Sequence, residues 1–522
     1  MRRRRFLAVA GSALATSIAA PALVRLTRKC PPPIEGGFVD DAGVAGHRLR
    51  ERRGQSAVRS PQSVVSVVIV GAGIAGLSAA WELDRRGMRD LVVLELDRQA
   101  GGNARSGEND ISCYPWAAHY VPVPDTRATL VRELLEELGV LTNGVWDERQ
   151  LCFSPQERLY LHGEWRPGIE PDFALDRRGR EDFRRFDERI AELRQSGEFT
   201  IPMARGVRRN SLLDRISMRE WLAAQRLSSP ELLWYVDYAC RDDYGALASE
   251  TSAWAGVHYF ASRQHDELGP LTWPEGNGWI VKRLLAKLGP YVRTNAPVLR
   301  VERADPPSMK WRVLTPDAFY VADTVIFAAP SFVAPYVIEG MDNRRSRFVY
   351  SPWLTANLTL ERWPEERGRL PSEPAWDNVI YDSPALGYVV ATHQSLRSRG
   401  PRPERTVWTY YWSLAELAPG DARLMLRAKS WAYWRDRLLD DLERAHPDIR
   451  DCVSRIDVMR HGHAMIRPTV GFLTAPERRD NWAPRGIELA NSDRSGLSLF
   501  EEAQYQGVSA ARRVLRRLRF EV

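Results

Sequence analysis

Gly71-Ala72-Gly73-Ile74-Ala75-Gly76 and Glu95, 19 positions beyond it, are the residues whose spacing points most directly to chemistry. In a G-x-G-x-x-G run the first glycine permits a tight turn and the second lets backbone approach a pyrophosphate. The third lets a helix pack close on the preceding strand. The helix N-terminus favours phosphate charge, and an acid at the position of Glu95 can accept hydrogen bonds from ribose hydroxyls. Other candidates are less specific. His461-Gly462-His463 puts two imidazoles on one strand face without a third ligand, so no metal site is expected. Cys240-Arg241-Asp242-Asp243-Tyr244-Gly245 clusters charge between apolar runs, as a surface turn, an internal salt bridge or an anchor for a polar substrate group. No H-E-x-x-H, Walker or nucleophile-elbow motif is present.

The flanking elements suit the glycine motif. Val64-Val65-Ser66-Val67-Val68-Ile69-Val70 is nearly all β-branched, as a strand buried on both faces should be. Leu77 to Arg86 reads as a helix with Leu77, Ala80 and Leu83 inward, and Leu91 to Leu94 as a second buried strand ending at Glu95. This predicts an α/β fold with a Rossmann-type dinucleotide-binding domain. The motif alone does not choose between FAD and NAD. Asp125 to Leu138 and Asp421 to Leu442 read as amphipathic helices.

Two further segments choose FAD by resemblance. Glu95 to Ser106, with the doublet Gly101-Gly102, resembles the second signature of the flavin amine oxidase and phytoene desaturase superfamily. The stretch Gly486 to Asp493, continuing through Phe500-Glu501-Glu502-Ala503 to Ala511, resembles its closing motif. Shorter similarities lie at Ala117-Ala118-His119-Tyr120, at Trp273 to Trp279, at Asn295 to Val301 and at Ala322 to Pro330. The resemblance covers most of residues 63–522. It implies that Gly101 and Gly102 pass the FAD pyrophosphate, that Val298 offers backbone to adenine, and that Asp493 meets the ribityl chain. It also implies that Ala118 runs near the flavin and that the helix beginning at Phe500 points its N-terminus at the flavin pyrimidine. His119, next to the small residues, is the first choice for a catalytic polar group near the ring.

The chain departs from the family pattern in several places. Gln99 and Asn103 stand where the family has arginines, leaving Arg98 or Arg105 to supply charge to the pyrophosphate. Ala490-Asn491 replaces Ala-Gly, and Glu502 replaces a glycine. The family's flavin-facing lysine is missing from the matching strand, Tyr350 to Leu358, and Leu499 stands opposite its substrate-caging tyrosine. No cysteine is placed for a thioether, so the resemblance implies non-covalent FAD.

The formal charge of +7 at first suggests nucleic acid or an anionic membrane. Residues 1–60 hold twelve Arg and Lys against Glu35, Asp40, Asp41 and Glu51, a net of +8, which leaves −1 for the other 462 residues. No nucleic-acid partner is expected. Arg2-Arg3-Arg4-Arg5, then Phe6-Leu7 and an Ala-rich stretch to Ala20-Pro21-Ala22, reads as a signal peptide over residues 1–22. It resembles the twin-arginine type, which exports proteins already folded around a cofactor. An ordinary secretory signal and an uncleaved membrane tether are the alternatives. The expected location is the periplasm or another extracytoplasmic space, reached through export machinery.

Residues 23–62 read as a linker. An FAD domain is assigned to 63–155, 256–330 and 456–522, and a discontinuous α+β substrate domain, rich in Trp and Tyr, to 156–255 and 331–455. Five scattered cysteines without C-x-x-C spacing suggest reduced, buried thiols. The functional expectation is an exported FAD-dependent oxidoreductase that takes a hydride equivalent from a small amine-like or apolar substrate to flavin N5. O₂ or a quinone-type acceptor would reoxidise it. The alternative is a flavin-binding envelope protein without turnover that acts as an assembly or interaction partner.

Overall fold

The computed structural model describes residues 33–39, 46, 61–207, 212–263, 269–341, 347–369, 372–395, 402–478 and 482–520. The expected leader and Cys30 lie outside the described residues, as does most of the expected linker.

The β-branched run forms the strand Pro61–Val70, whose last four residues are almost solvent-free. It lies between two parallel partners, Leu91–Leu94 and Phe319–Phe327. Such a central strand must be apolar on both faces because both are covered. The far edge of Phe319–Phe327 is shared: Trp311–Leu314 pairs antiparallel with its first half and Ile487–Leu489 parallel with its second. Val292–Arg293 and Arg300–Arg303 complete a sheet of seven strands. On one face the helix Ile74–Arg85 crosses the C-terminal helix Phe500–Arg517. They approach so closely that a Cβ on Gly507 would lie 2.1 Å from the Ala75 carbonyl oxygen.

A second sheet has eight strands, in the order Glu35–Phe38, Val453–Arg467, Val349–Leu360, Thr406–Trp412, Gly387–Val390, Asp377–Ile380, Glu157–Leu161 and Glu164–Pro167. One face packs on the helices Pro419–Ala428 and Trp431–Leu442 through Tyr388, Trp408, Trp412 and Trp434. The other carries Leu159, Trp353, Trp376, Val389 and Tyr411. A helical cluster of Arg177–Gln195, Met218–Ala224, Pro230–Tyr244 and Ala253–Ser262 has its own core.

Two boundaries differ from the sequence reading. Glu35–Phe38, read as linker, is an edge strand in parallel register with Arg455–Val458, because an edge strand needs only backbone pairing and carries little hydrophobic pattern. A boundary at residue 456 would cut Val453–Arg467, a single strand paired along Val349–Leu360. Among the described residues no helix is long and apolar enough to cross a membrane.

Candidate active site

The cradle forms where the central strand ends. Gly71 takes φ +98°, which a side chain would resist, and its N–H donates to the Leu94 carbonyl at 2.8 Å. A Cβ on Gly76 would sit 1.9 Å from the Gly71 carbonyl oxygen, so the turn and the helix can touch only because that residue is bare. Gly73 differs: a Cβ there would meet nothing closer than Gly102 Cα at 3.9 Å, so its missing side chain leaves room on the cavity side. The helix starting at Ile74 has no side-chain cap, and its first N–H groups are left for an anion. The second glycine loop docks on the first. Gly101 N donates to Ala72 O at 2.8 Å, Gly73 bridges Gly101, and Gly101 and Gly102 both take positive φ.

These loops open into a cavity of about 1050 Å³ lined by Gly71, Gly73, Glu95, Gly101, Gly102, Arg105, Ala118, Val298, Asp493 and Phe500. The elongated donor set suits a dinucleotide. Glu95 is held by two backbone N–H groups, Ala72 to Oε2 at 2.7 Å and Asp97 to Oε1 at 2.9 Å, and burial pushes its carboxyl above the usual range. Arg105 lies on the wall, its guanidinium paired with Asp97 and its Nε donating to the Gly102 carbonyl at 3.0 Å. Arg98 is exposed and does not line the cavity, so of the two arginines Arg105 is the one at the slot. Asp493 Oδ2 accepts from Ser331 N at 2.8 Å and Tyr350 Oη at 2.7 Å, and burial raises its carboxyl. The uncapped helix at Phe500 begins on the slot wall. Among the described residues no cysteine lines the slot, which is consistent with a non-covalent flavin.

Gly76 stays behind the cradle, where its role is packing. His119 also lies off the slot. Ala118 faces the cavity, whereas the His119 ring stacks on Tyr411 at 4.7 Å and contacts Trp376 at 5.4 Å and Tyr120 at 5.1 Å. Its Nδ1 meets Ala117 O at 3.2 Å, and desolvation lowers its pKa to about 4, so the ring is neutral at neutral pH. Gly276 is required there, since a Cβ would lie 2.7 Å from His119 Cα.

Sequence reasoning gave several slot residues no part in flavin binding, although it singled out His461 and His463 as a pair. Alternation along Val453–Arg467 brings His461 and His463 to the cavity together, with His463 stacked on Phe332 at 4.3 Å. Burial, then the charge of Arg105, lowers His461 to about 4. Arg423 and Arg427 reach the slot from the helix Pro419–Ala428, which nothing in its amphipathic pattern announced. The departures from the family pattern each have a local partner. Gln99 donates to Ser106 O at 3.0 Å, and Asn103 to Ala464 O at 2.7 Å across to the second sheet. Lys282, Lys287, Lys310 and Lys429 all lie off the slot. Among the described residues no group of three His, Cys, Asp or Glu could hold a metal ion.

Comparison with known proteins agrees with this geometry. The family model for flavin containing amine oxidoreductase matches residues 74–515. A Mycobacterium tuberculosis protein named as a flavin-containing monoamine oxidase, AofH, is 29% identical over 261 residues, covering 47% of this chain and 53% of that one. The chain thus spans about half the length of the curated relatives it matches. Among solved structures, a putrescine oxidase variant superposes with TM-score 0.65 at 19% identity, over 87% of this chain and 100% of that one. Cyclohexylamine oxidase from Brevibacterium oxydans IH-35A gives 0.65 at 16% identity, with coverage of 87% and 100%. At such identities the structures speak for the fold alone, and the family rests on the match over most of the sequence and on the cradle. The chain belongs to the flavin containing amine oxidoreductases, a family of FAD-dependent oxidoreductases.

Proposed function

We propose that this protein oxidises an amine that binds on the aromatic side of the Ala117–Ala118 wall of the flavin slot. The observation that carries this reading is the placement of His119, Tyr411 and Trp376. His119 directly follows slot-lining Ala118, its ring contacts those of Tyr411 and Trp376, and Tyr411 Oη donates to the Ala117 carbonyl at 3.0 Å. FAD held in the slot would supply the two-electron acceptor for a hydride equivalent from the amine. The chain's own residues bind and orient. The aromatic faces hold the methylenes and attract an amine's positive end, and the uncapped helix at Phe500 presents N–H dipoles toward the slot. A lysine is not used, and His119, neutral from about pH 4 upward, is not a charged competitor for the amine. The relatives named above act, by name, on amines, which supports the same class here.

Anaerobic addition of amines to the flavin-loaded protein tests the reading. Bleaching of the oxidised flavin spectrum by an amine, followed by return of colour on admitting O₂ or a quinone, is the expected result. A flavin that no amine, amino acid or apolar alkene reduces would instead favour the binding-protein alternative. Export before or during this work rests on Arg2 to Arg5 and the Ala-rich stretch after them. Replacing Arg3 and Arg4 by Lys should leave the protein in the cytoplasmic fraction while cofactor loading continues.

A further inference from the structure

A pyrophosphate brings negative charge into the slot, and the glycine loops that cradle it offer backbone N–H groups but no free cation. Gln99 and Asn103, at the positions where the family has arginines, are neutral and committed to the Ser106 and Ala464 carbonyls. Four arginines stand on the slot wall: Arg105, Arg423, Arg427 and Arg460. Arg105 is already neutralised by Asp97. Arg460 donates to the Leu426 carbonyl at 3.2 Å and lies over the Phe38 ring, 3.8 Å from its centroid. That leaves Arg423 and Arg427.

Both come from the helix Pro419–Ala428, which packs on the second sheet rather than the first. Ala422 and Leu426 are buried in that sheet's core and fix the helix. Gly420, Arg423, Leu424 and Arg427 follow the three- and four-residue spacing of one helical stripe, and all four line the slot. Arg423 runs beside the strand Val453–Arg467, where a Cβ on Gly462 would stand 3.9 Å from its Cδ. Asn103, next to the glycine doublet, bonds the Ala464 carbonyl two residues further along the same strand. Arg423 Nη1 donates to the Tyr350 carbonyl at 3.1 Å, and the Tyr350 hydroxyl donates to Asp493 at 2.7 Å. These contacts lead from Arg423 to the acid that the family resemblance sets at the ribityl chain, and in FAD that chain is bonded directly to the pyrophosphate. Among the described residues neither Arg423 nor Arg427 forms an ion pair with a carboxylate. Desolvation lowers the Arg423 pKa with no counter-charge to offset it. A half-buried guanidinium in that position is costly until an anion reaches it.

We infer that Arg423 and Arg427 are the cations that hold the FAD pyrophosphate, so that charge found in the family's glycine-doublet loop is supplied in this chain by a helix of the second sheet. A guanidinium suits the task because its planar fork can donate two N–H bonds to phosphate oxygens. The bound cofactor then ties that helix to the glycine loops of the first sheet. The inference concerns how the flavin is held and does not depend on which substrate is oxidised.

Release of FAD from the holoprotein, followed by the fluorescence of free flavin after dilution, provides the first test. At low salt, Arg423→Gln with Arg427→Gln should release FAD about tenfold faster than wild type or more. Arg423→Lys with Arg427→Lys keeps the charge and should stay within about threefold of wild type. Raising NaCl from about 0.05 to about 0.5 M should speed release from wild type and hardly change the Gln variant, because screening acts only on charge that is present. If the double Gln variant fails to fold, Arg427→Gln alone, at an exposed position, should still release FAD faster and show a weaker salt response. The second test uses protein stripped of flavin and reads its melting temperature with ADP or adenosine. ADP should stabilise wild type more than adenosine does, and the Gln variant should lose that difference while keeping its response to adenosine. Unchanged FAD release in the Gln variants, or faster release with the ADP advantage intact, overturns the inference. Neither test involves turnover, so a failure of amine oxidation leaves this inference standing, and its own failure leaves the amine reading untouched.

Discussion

A methyl group at Gly76 would lie 1.9 Å from the Gly71 carbonyl oxygen, a contact with backbone that no side-chain rotation relieves. Gly76→Ala should therefore cost about 1–3 kcal/mol as overpacking does, with a lower melting temperature and weakened retention of flavin through gel filtration. Gly73→Ala meets open space and should spare the fold while reducing flavin affinity, so stability and loading separate the two glycines. His119 makes a different kind of prediction. Desolvation holds its pKa near 4, so the ring gains its proton only as pH falls toward that value. A pH profile of flavin reduction should show no ionisation from this ring near 6.5, and a step there that vanished in His119→Gln would contradict the structure. The motif residues were legible because G-x-G-x-x-G states a backbone conformation that glycine alone tolerates. The environment of His119 was not, since Tyr411 and Trp376 come from distant strands.

The C-terminal helix Phe500–Arg517 buries Glu501 and Glu502 in its first turn. Desolvation raises both carboxyls to about 7. Glu502 Oε1 accepts from Met203 N at 2.5 Å. Because the folded state holds these protons where the unfolded chain, with a carboxyl near 4.5, would release them, the contribution of these two groups to stability is greatest below about pH 4.5. That contribution declines as pH rises toward 7. Glu502→Gln keeps the acceptor for Met203 and removes the titration. It should flatten that decline and stabilise the flavin-loaded protein at pH 8 by about 1–3 kcal/mol, read by urea unfolding at pH 5 and pH 8. The edge strand Glu35–Phe38 gives the second element-scale expectation. Deleting it exposes the Val453–Arg467 edge and should lower soluble yield. A four-residue edge strand has almost no sequence signature, whereas Val64 to Val70 announced itself through burial on both faces.

At the scale of the whole molecule, the slot is walled from both sheets. Glu95 and Gly71 come from the seven-stranded sheet, and Met459, His461 and His463 from the eight-stranded one. Asn103 reaches across to Ala464 O at 2.7 Å. A ligand that binds only when these walls are assembled stabilises the folded state by mass action, about 2.7 kcal/mol at a hundredfold excess over Kd. The melting temperature should rise with added FAD and level off once the slot is saturated, and AMP, which lacks the flavin half, should produce a smaller rise. A melting temperature unmoved by FAD would contradict a slot shared by both sheets.

The sequence alone determined the strand–glycine–helix unit, the acid that follows it and the order of the flavin segments, because each is written in local residue types whose backbone demands few others can meet. It also located the positive charge in the first 60 residues. Only the tertiary structure decided that Arg105 rather than Arg98 stands at the slot, that His119 turns away from it, and that its ring meets Tyr411 and Trp376. Strand register and helix docking bring distant residues side by side, and no periodicity within a single segment records which partner it will meet.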